Sequence, residues 1–290
     1  MSQPPAFDAE QEPAPPAVEA RGASSRRRRW FLLAAQFLTI IPLRVRSESE
    51  PGGPDMGRAL PWFPLIGALL GVGVVALNWA LTPVFSRTVR DVIAIAAPLL
   101  ATGMLHFDGF VDCCDALLGT RTVARRLEIL RDSRVGAFGV GGGVVLLLAR
   151  FAALESLAPG LWALAVIIAP LAGRWAMVWV ITLFRYARAQ GAGLSFHSGP
   201  GRLAFTCAMA LLLLGALAVF APWGALVQRL ILVVALACAG VSAALLWALW
   251  ASRRLGGGVT GDVYGAANEL VEVVILALAP AIAQLALAIT

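Results

Sequence analysis

Asp108, Asp112 and Asp115 stand at i, i+4 and i+7 in the run His106-Phe107-Asp108-Gly109-Phe110-Val111-Asp112-Cys113-Cys114-Asp115. On a continuous helix, at about 100° per residue, they share a face roughly 60° wide. Three like charges that close repel one another, and repulsion favours protonation unless a cation neutralises them. All-oxygen donors with no neighbouring His/Cys set suit magnesium or another hard divalent ion. The competing reading is a helix start, with Asp108 as N-cap and Asp112 in the first turns, where carboxylates meet the positive end of the helix dipole. That reading leaves Asp115 unexplained.

Arginines follow the carboxylates. Arg121, Arg125, Arg126 and Glu128 lead into Arg131-Asp132-Ser133-Arg134, and Val135-Gly136-Ala137-Phe138-Gly139 then opens an apolar segment. Guanidinium forks bind phosphate oxygens in bidentate fashion, and free amides at a helix start also favour an anion. Metal-binding carboxylates and phosphate-binding arginines on one connection suggest diphosphate chemistry. For Arg121, Arg125 and Arg126, plain membrane topology is an equal alternative.

Two further polar connections carry candidates. The stretch from Arg185 through Tyr186, Arg188 and Gly191 to His197 offers cationic donors beside glycines that allow close backbone approach. A lone loop histidine such as His197 is more often solvated than catalytic. The run Gly256-Gly257-Gly258-Val259-Thr260-Gly261-Asp262 continues to Glu269 and Glu272. Asp262 and Glu269 are seven apart and share a helical face, and the glycines before them suit a phosphate approach or a hinge. Glu272 enters an apolar segment, where an unpartnered carboxylate is costly.

These residues need a membrane scaffold to position them. The chain is 59% hydrophobic, its mean hydropathy is +0.81, and apolar stretches of about twenty residues, enough to cross the hydrocarbon, recur along it. The expected fold is an all-α polytopic bundle forming one integral domain over 30–290, with no length to spare for a soluble catalytic domain. Seven spans are expected: Leu60 to Thr82, Thr88 to Leu105, Gly136 to Leu157, Leu161 to Phe184, Leu203 to Pro222, Val227 to Trp250 and Leu270 to Ile289. Before them, Trp30 to Leu43 is short for a span and reads as an interfacial or re-entrant helix. Residues 1–29, a Pro/Ala-rich tail ending in Arg26 to Arg29, are expected to be disordered. All 23 basic residues are arginine. Their places beside apolar spans point to membrane orientation and away from nucleic acid. A cytoplasmic start puts His106 to Val135, Arg185 to Arg202 and Ala251 to Glu269 on the inside, leaving Arg87 and Arg90 as mild exceptions to the positive-inside rule. The four cysteines match neither zinc spacing nor a disulfide framework.

The motifs together resemble the cobalamin synthase family, the adenosylcobinamide-GDP ribazoletransferases. The family's His-x-Asp-Gly-x-x-Asp-x-x-Asp pattern is similar to His106 through Asp115, and its Arg-Asp-Ser/Pro-Arg-x-Gly-x-x-Gly pattern to Arg131 through Gly139. Tyr186 to Arg188, the Gly257 to Glu269 run, Phe37-Leu38-Thr39 with Pro42, and Phe63 to Gly67 also match, so the likeness covers about Trp30 to Glu272. The Pro-rich tail is extra, and Phe107 and Phe110 stand where smaller aliphatic residues are common.

The resemblance implies the nucleotide-loop step of cobalamin assembly. The 5′-hydroxyl of α-ribazole, or its 5′-phosphate form, attacks adenosylcobinamide-GDP at the phosphorus next to cobinamide, and GMP leaves. It implies Asp108, Asp112 and Asp115 as ligands of Mg2+ and the diphosphate, and His106, Arg131, Arg134, Arg185, Arg188 and Gly261 as substrate- or phosphate-binding. Asp132 would orient the arginines, and Asp262 and Glu269 would add metal binding or general-base help. It further implies a bacterial inner-membrane enzyme with its site on the cytoplasmic face, and leaves homo-oligomerisation and docking of other assembly enzymes open. Two rivals are kept. A CDP-alcohol phosphotransferase would use membrane aspartates and a divalent ion too, but its Ala-Arg after Asp-Gly is missing here. An ion-coupled transporter would place charges at the bilayer midplane within broken helices.

Overall fold

The computed structural model describes residues 16–42, 56–188, 192–197, 202–221 and 223–289. The described residues form helices joined by short connections, with a single isolated parallel bridge between Tyr186 and Val259. In chain order they are α1 (Pro16–Leu38), α2 (Met56–Ala59), α3 (Phe63–Leu81), α4 (Arg87–Ala101), α5 (Leu105–Leu117), α6 (Val123–Ile129), α7 (Ala137–Ser156), α8 (Pro159–Leu183), α9 (Arg202–Phe220), α10 (Leu226–Arg254) and α11 (Gly261–Ile289). A 3-10 turn over Leu60–Trp62 joins α2 to α3, and another covers Ala192–His197. The protein is multi-pass and all-helical.

Five segments are long and apolar enough to cross a membrane: Met56–Leu81, Ala137–Ser156, Pro159–Leu183, Leu226–Arg254 and Gly261–Ala288. Two of the seven expected spans differ from that description. The one placed at Leu203 to Pro222 is α9, whose apolar stretch is shorter, Leu203–Val219. The one placed at Thr88 to Leu105 is α4, and α5, which begins at Leu105, continues from it at a bend of 92°. Pro98 inside α4 has no amide to give to the helix. Gly103 and Met104, both at φ 58°, then take the left-handed conformation that ends it. The carboxylate motif is therefore helical and lies on the second limb of a helix pair bent by 92°, the form of a broken span or of a re-entrant segment.

α8 is the axis of the bundle. It is apolar around its whole circumference and buried along nearly all its length, as expected for a helix enclosed by others. α3, α10 and α11 pack around it, while α5 lies against α11 and α7. The end of the bundle that holds the start of α11 and the start of α7 also holds the three polar connections, and is called the site end below.

The part of the expected disordered tail from Pro16 onward is helical. Residues 1–15 lie outside the described part, but α1 runs unbroken from Pro16 through the arginine run to Leu38. Alanine, glutamate and arginine are strong helix formers, and the buried Ala34 and Leu38 anchor the helix to the bundle. The expected short interfacial helix is the second half of this longer one. The two outward arginines also find a reason. Arg87 donates to the carbonyls of Leu154 and Leu157 at the end of α7 and pairs with Asp91, whose carboxylate accepts from the Trp162 indole at 2.8 Å. Arg90 donates to the side chains of Asn78 and Thr82. They fasten α3, α4, α7 and α8 at the end opposite the site.

Candidate functional site

Three connections converge at the site end, and Arg188 is where they meet. Its Nη2 donates to the Leu130 carbonyl at 3.0 Å and lies 3.3 Å from Asp262 Oδ2. A second tie runs alongside: Ala187 N donates to Val259 O at 2.8 Å, and Val259 N to Arg185 O at 2.9 Å. A third is made by Arg126, which donates to the Arg254 carbonyl, and by Arg254, which donates to the Leu117 carbonyl. The three polar connections are thereby tied to one another at one end of the bundle.

The facing carboxylates of α5 and of the first turn of α11 form one charged cluster, here termed the groove. Gly109 makes this possible. A Cβ on Gly109 would stand 2.9 Å from Asp262 O and 3.0 Å from Asp262 Cα, and one on Gly265 would stand 3.0 Å from His106 O. Two helices this close bring Asp108 and Asp112 across from Asp262. Asp112, half-buried, interacts electrostatically with Asp108, Asp262 and Asp115 and with the guanidinium of Arg188. Asp108 is exposed to the groove mouth. Asp262 Oδ2 also accepts the Thr260 hydroxyl at 3.0 Å. Gly261, expected to touch phosphate, is the first residue of α11 and sets this turn.

Asp115, expected in the metal trio, has a structural engagement of its own. Its Oδ2 accepts the Gly136 amide at 2.6 Å and its Oδ1 the Gly139 amide at 2.9 Å. It is buried and caps the start of α7, from another helix, satisfying amides that have no intrahelical acceptor. Asp115 thus shares a helical face with Asp108 and Asp112 while each of its oxygens accepts an amide of α7's start. Among the described residues, no three His, Cys, Asp or Glu side chains converge closely enough to hold a metal by themselves.

Arg131, Asp132 and Arg134 lie just beyond Leu130, on the exposed connection that Arg188 holds. Asp132 accepts from Arg134 Nε at 2.9 Å and Nη2 at 2.7 Å, and from the Arg134 amide at 3.1 Å. These bonds from Arg134 hold the Asp132 carboxyl down at about 2. A depressed carboxyl stays charged until pH falls through its lowered value, so Asp132 keeps its charge from pH 5 to 9. An acid limb in the rate profile should therefore keep its midpoint when Asp132→Asn is compared with wild type; a moved midpoint would contradict this pairing.

Two more expected site residues sit elsewhere. Glu269 shares a face with Asp262 but lies about 10 Å further along α11, two turns at 1.5 Å per residue. It is 3% exposed and paired with Arg150 at 3.1 Å. His106 is 2% exposed, at the level of Gly265, and its Nε2 has no hydrogen-bond partner among the described residues. Neither lines the groove. Of the other charges within the spans, Glu155 is exposed at the end of α7, and Arg174 belongs with Arg150, Glu269 and Glu272 in one buried set. Arg150 was missed. Its signal was available, since a lone arginine in an apolar run implies a partner such as the equally isolated Glu272. Thr260 and the Leu130 carbonyl, which hold Asp262 and Arg188, carried no signal in the sequence.

A family model described as cobalamin-5-phosphate synthase matches residues 30–280. A protein of Desulforamulus reducens named adenosylcobinamide-GDP ribazoletransferase is 34% identical, covering 83% of this chain and 91% of its own. Proteins of the same name from Deinococcus radiodurans, 36% identical over 84% of this chain and 82% of theirs, and from Desulfitobacterium hafniense, 36% identical over 87% and 96%, are similarly close. No solved structure matches the chain.

Proposed function

Because the chain belongs to the cobalamin-5-phosphate synthase family, we propose that it joins α-ribazole, or its 5′-phosphate, to adenosylcobinamide-GDP with release of GMP. The observation that carries this reading is the groove in which Asp108 and Asp112 on α5 face Asp262 and Arg188 from two other connections. A family described as making the 5-phosphate leaves that position phosphorylated in the product, so the attacking oxygen is another ribose hydroxyl, and the 5′-hydroxyl of the earlier expectation is set aside.

The reaction forms a bond from that oxygen to the phosphorus next to cobinamide and breaks the bond from that phosphorus to GMP. The donor set fits magnesium, which commonly takes one or two carboxylates and completes its shell with substrate phosphates and water. Asp108 and Asp112 would hold it, with Asp262 nearby; Asp115 would not. When bound, the ion would neutralise charge on the diphosphate and the departing phosphate. Arg188 positions Asp262, whose carboxylate is the assigned acceptor of the hydroxyl proton. Arg131 and Arg134, on the exposed connection, and Arg185, exposed beside Tyr186, supply guanidinium forks for the flanking phosphates. Positioning and charge stabilisation carry the chemistry, with no covalent intermediate on the protein.

The site end is assigned to the cytoplasmic face of a bacterial inner membrane, in support of which the converging connections at that end are rich in arginine. The test is direct. Protein purified into lipid with adenosylcobinamide-GDP, α-ribazole and magnesium should release GMP; no release, with Asp108→Ala indistinguishable from wild type, would sink the proposal.

A further inference from the structure

Deeper in the bundle than the groove lies a set of charges that the proposed chemistry does not use. Glu272 accepts from Arg150 Nη2 at 2.7 Å, from Asn268 Nδ2 at 3.0 Å and from Arg174 Nη1. Arg150 Nη2 also lies 3.1 Å from Glu269 Oε2, and Asn268 Nδ2 donates to Glu269 Oε1 at 3.2 Å. None of the five is more than 7% exposed. Two guanidinium and two carboxylate groups sum to zero charge, which is how ionised groups persist in a membrane interior.

The set spans three helices, with Arg150 on α7, Arg174 on α8, and Asn268, Glu269 and Glu272 on α11. The fourth helix to reach it is α5, whose His106 ring faces Arg174 and Arg150 while its backbone abuts Gly265. These helices carry or hold the groove: α5 bears Asp108 and Asp112, α11 bears Asp262, and α7 is tied to Asp115. A cavity of about 40 Å³ touches Arg150 and Glu272, with otherwise apolar lining. Such a space admits water-sized groups and no diphosphate.

We infer that Arg150, Glu269, Glu272, Arg174 and Asn268 form a register lock that sets where α11 stands against α5, and so the spacing of Asp262 from Asp108 and Asp112. The inference rests on the proposed reaction for its kinetic consequence, and on geometry alone for its structural one. Glu269 becomes a positioning residue, in place of the metal-binding or general-base role that the resemblance implied. Glycine contacts between α5 and α11 resist closer approach but do not resist sliding. Ion pairs with fixed donors and acceptors do, because a shift of one residue strands a charge.

Two features separate this from catalysis and from plain stability. Removing one member leaves a buried charge without its counter-ion, whereas removing Arg150 and Glu269 together leaves the neutral Arg174–Glu272 pair. A displaced groove lowers turnover more than substrate affinity.

The experiment compares Glu269→Gln with Arg150→Met/Glu269→Gln in lipid nanodiscs, in a background without Cys207 and Cys238. GMP release is measured per folded protein. Spin labels at Leu118, which caps the end of α5, and at Leu278 of α11, both exposed, give the interhelix distance. The single variant should lose at least about tenfold in kcat, with KM for both substrates within about twofold, and should broaden or shift the distance distribution. The double variant should fold, restore the wild-type distribution and recover kcat to within about fivefold. A double variant as inactive as the single would make Glu269 catalytic and overturn the inference. A double variant that fails to fold would also overturn it, as would an unmoved distribution in the single one. If the wild type releases no GMP, the activity proposal fails while the distance measurement still decides the lock.

Discussion

Replacing Asp112 with alanine is expected to cut GMP release about 10²–10³-fold, the loss typical when one preorganised electrostatic contact to a reacting centre is removed. Asp112 sits between Asp108 and Asp262 and faces Arg188, so no neighbouring group can take its place. The fold should survive, because half-buried Asp112 makes no tie like that of Asp115, whose two oxygens hold the start of α7. Asp115→Ala is the contrasting case. It should lower thermal stability by about 1–2 kcal/mol, as expected when a helix start loses its acceptor, while kcat per folded protein stays within about tenfold of wild type. Two measurements on each variant, thermal unfolding and initial rate, separate the roles. If Asp115→Ala unfolds like wild type and is as inactive as Asp112→Ala, Asp115 returns to the metal set.

The second large effect is expected at Gly109. Its added methyl group in Gly109→Ala would meet the backbone of Asp262 at 2.9–3.0 Å, and backbone cannot swing aside as a flexible side chain does. The two helices must part by a fraction of an ångström. Overpacking of this kind costs about 1–3 kcal/mol, and a displacement approaching 1 Å at a reacting centre costs about 10²-fold in rate. Gly109→Ala should therefore be folded, slightly less stable and about 10²-fold slower. Unchanged kinetics would mean that the groove tolerates a wider gap than the packing shows.

Much of this site was legible from residue types and spacing because membrane chains penalise idle charge. Asp108, Asp112, Asp262 and Arg188 stand out against apolar surroundings, and each is in the groove. What spacing could not show is which oxygens are already engaged. Asp115 has the same helical phase as its two neighbours, and only the arrival of α7 from a distant part of the chain makes it a cap. Glu269 has the same phase as Asp262, but phase says nothing of depth. Arg150 was legible as a lone charge in an apolar run, but which carboxylate it meets depends on how α7 packs against α11. The bend between α4 and α5 was hidden for another reason: Pro98, Gly103 and Met104 interrupt a segment whose hydropathy remains continuous.

That bend bears on how the molecule is made. α4 has 15 residues, and α5 has 13 residues carrying all three aspartates of the motif, so neither limb is long and apolar enough to settle in a membrane on its own account. The partners that make α5 tolerable there are the glycine faces of α7 and α11, and both follow it in the chain. α5 therefore cannot reach its final seat until both have been made. Chains halted before α11 would hold the earlier spans and still lack the groove, so the groove forms only after residues far beyond its first carboxylates have been inserted.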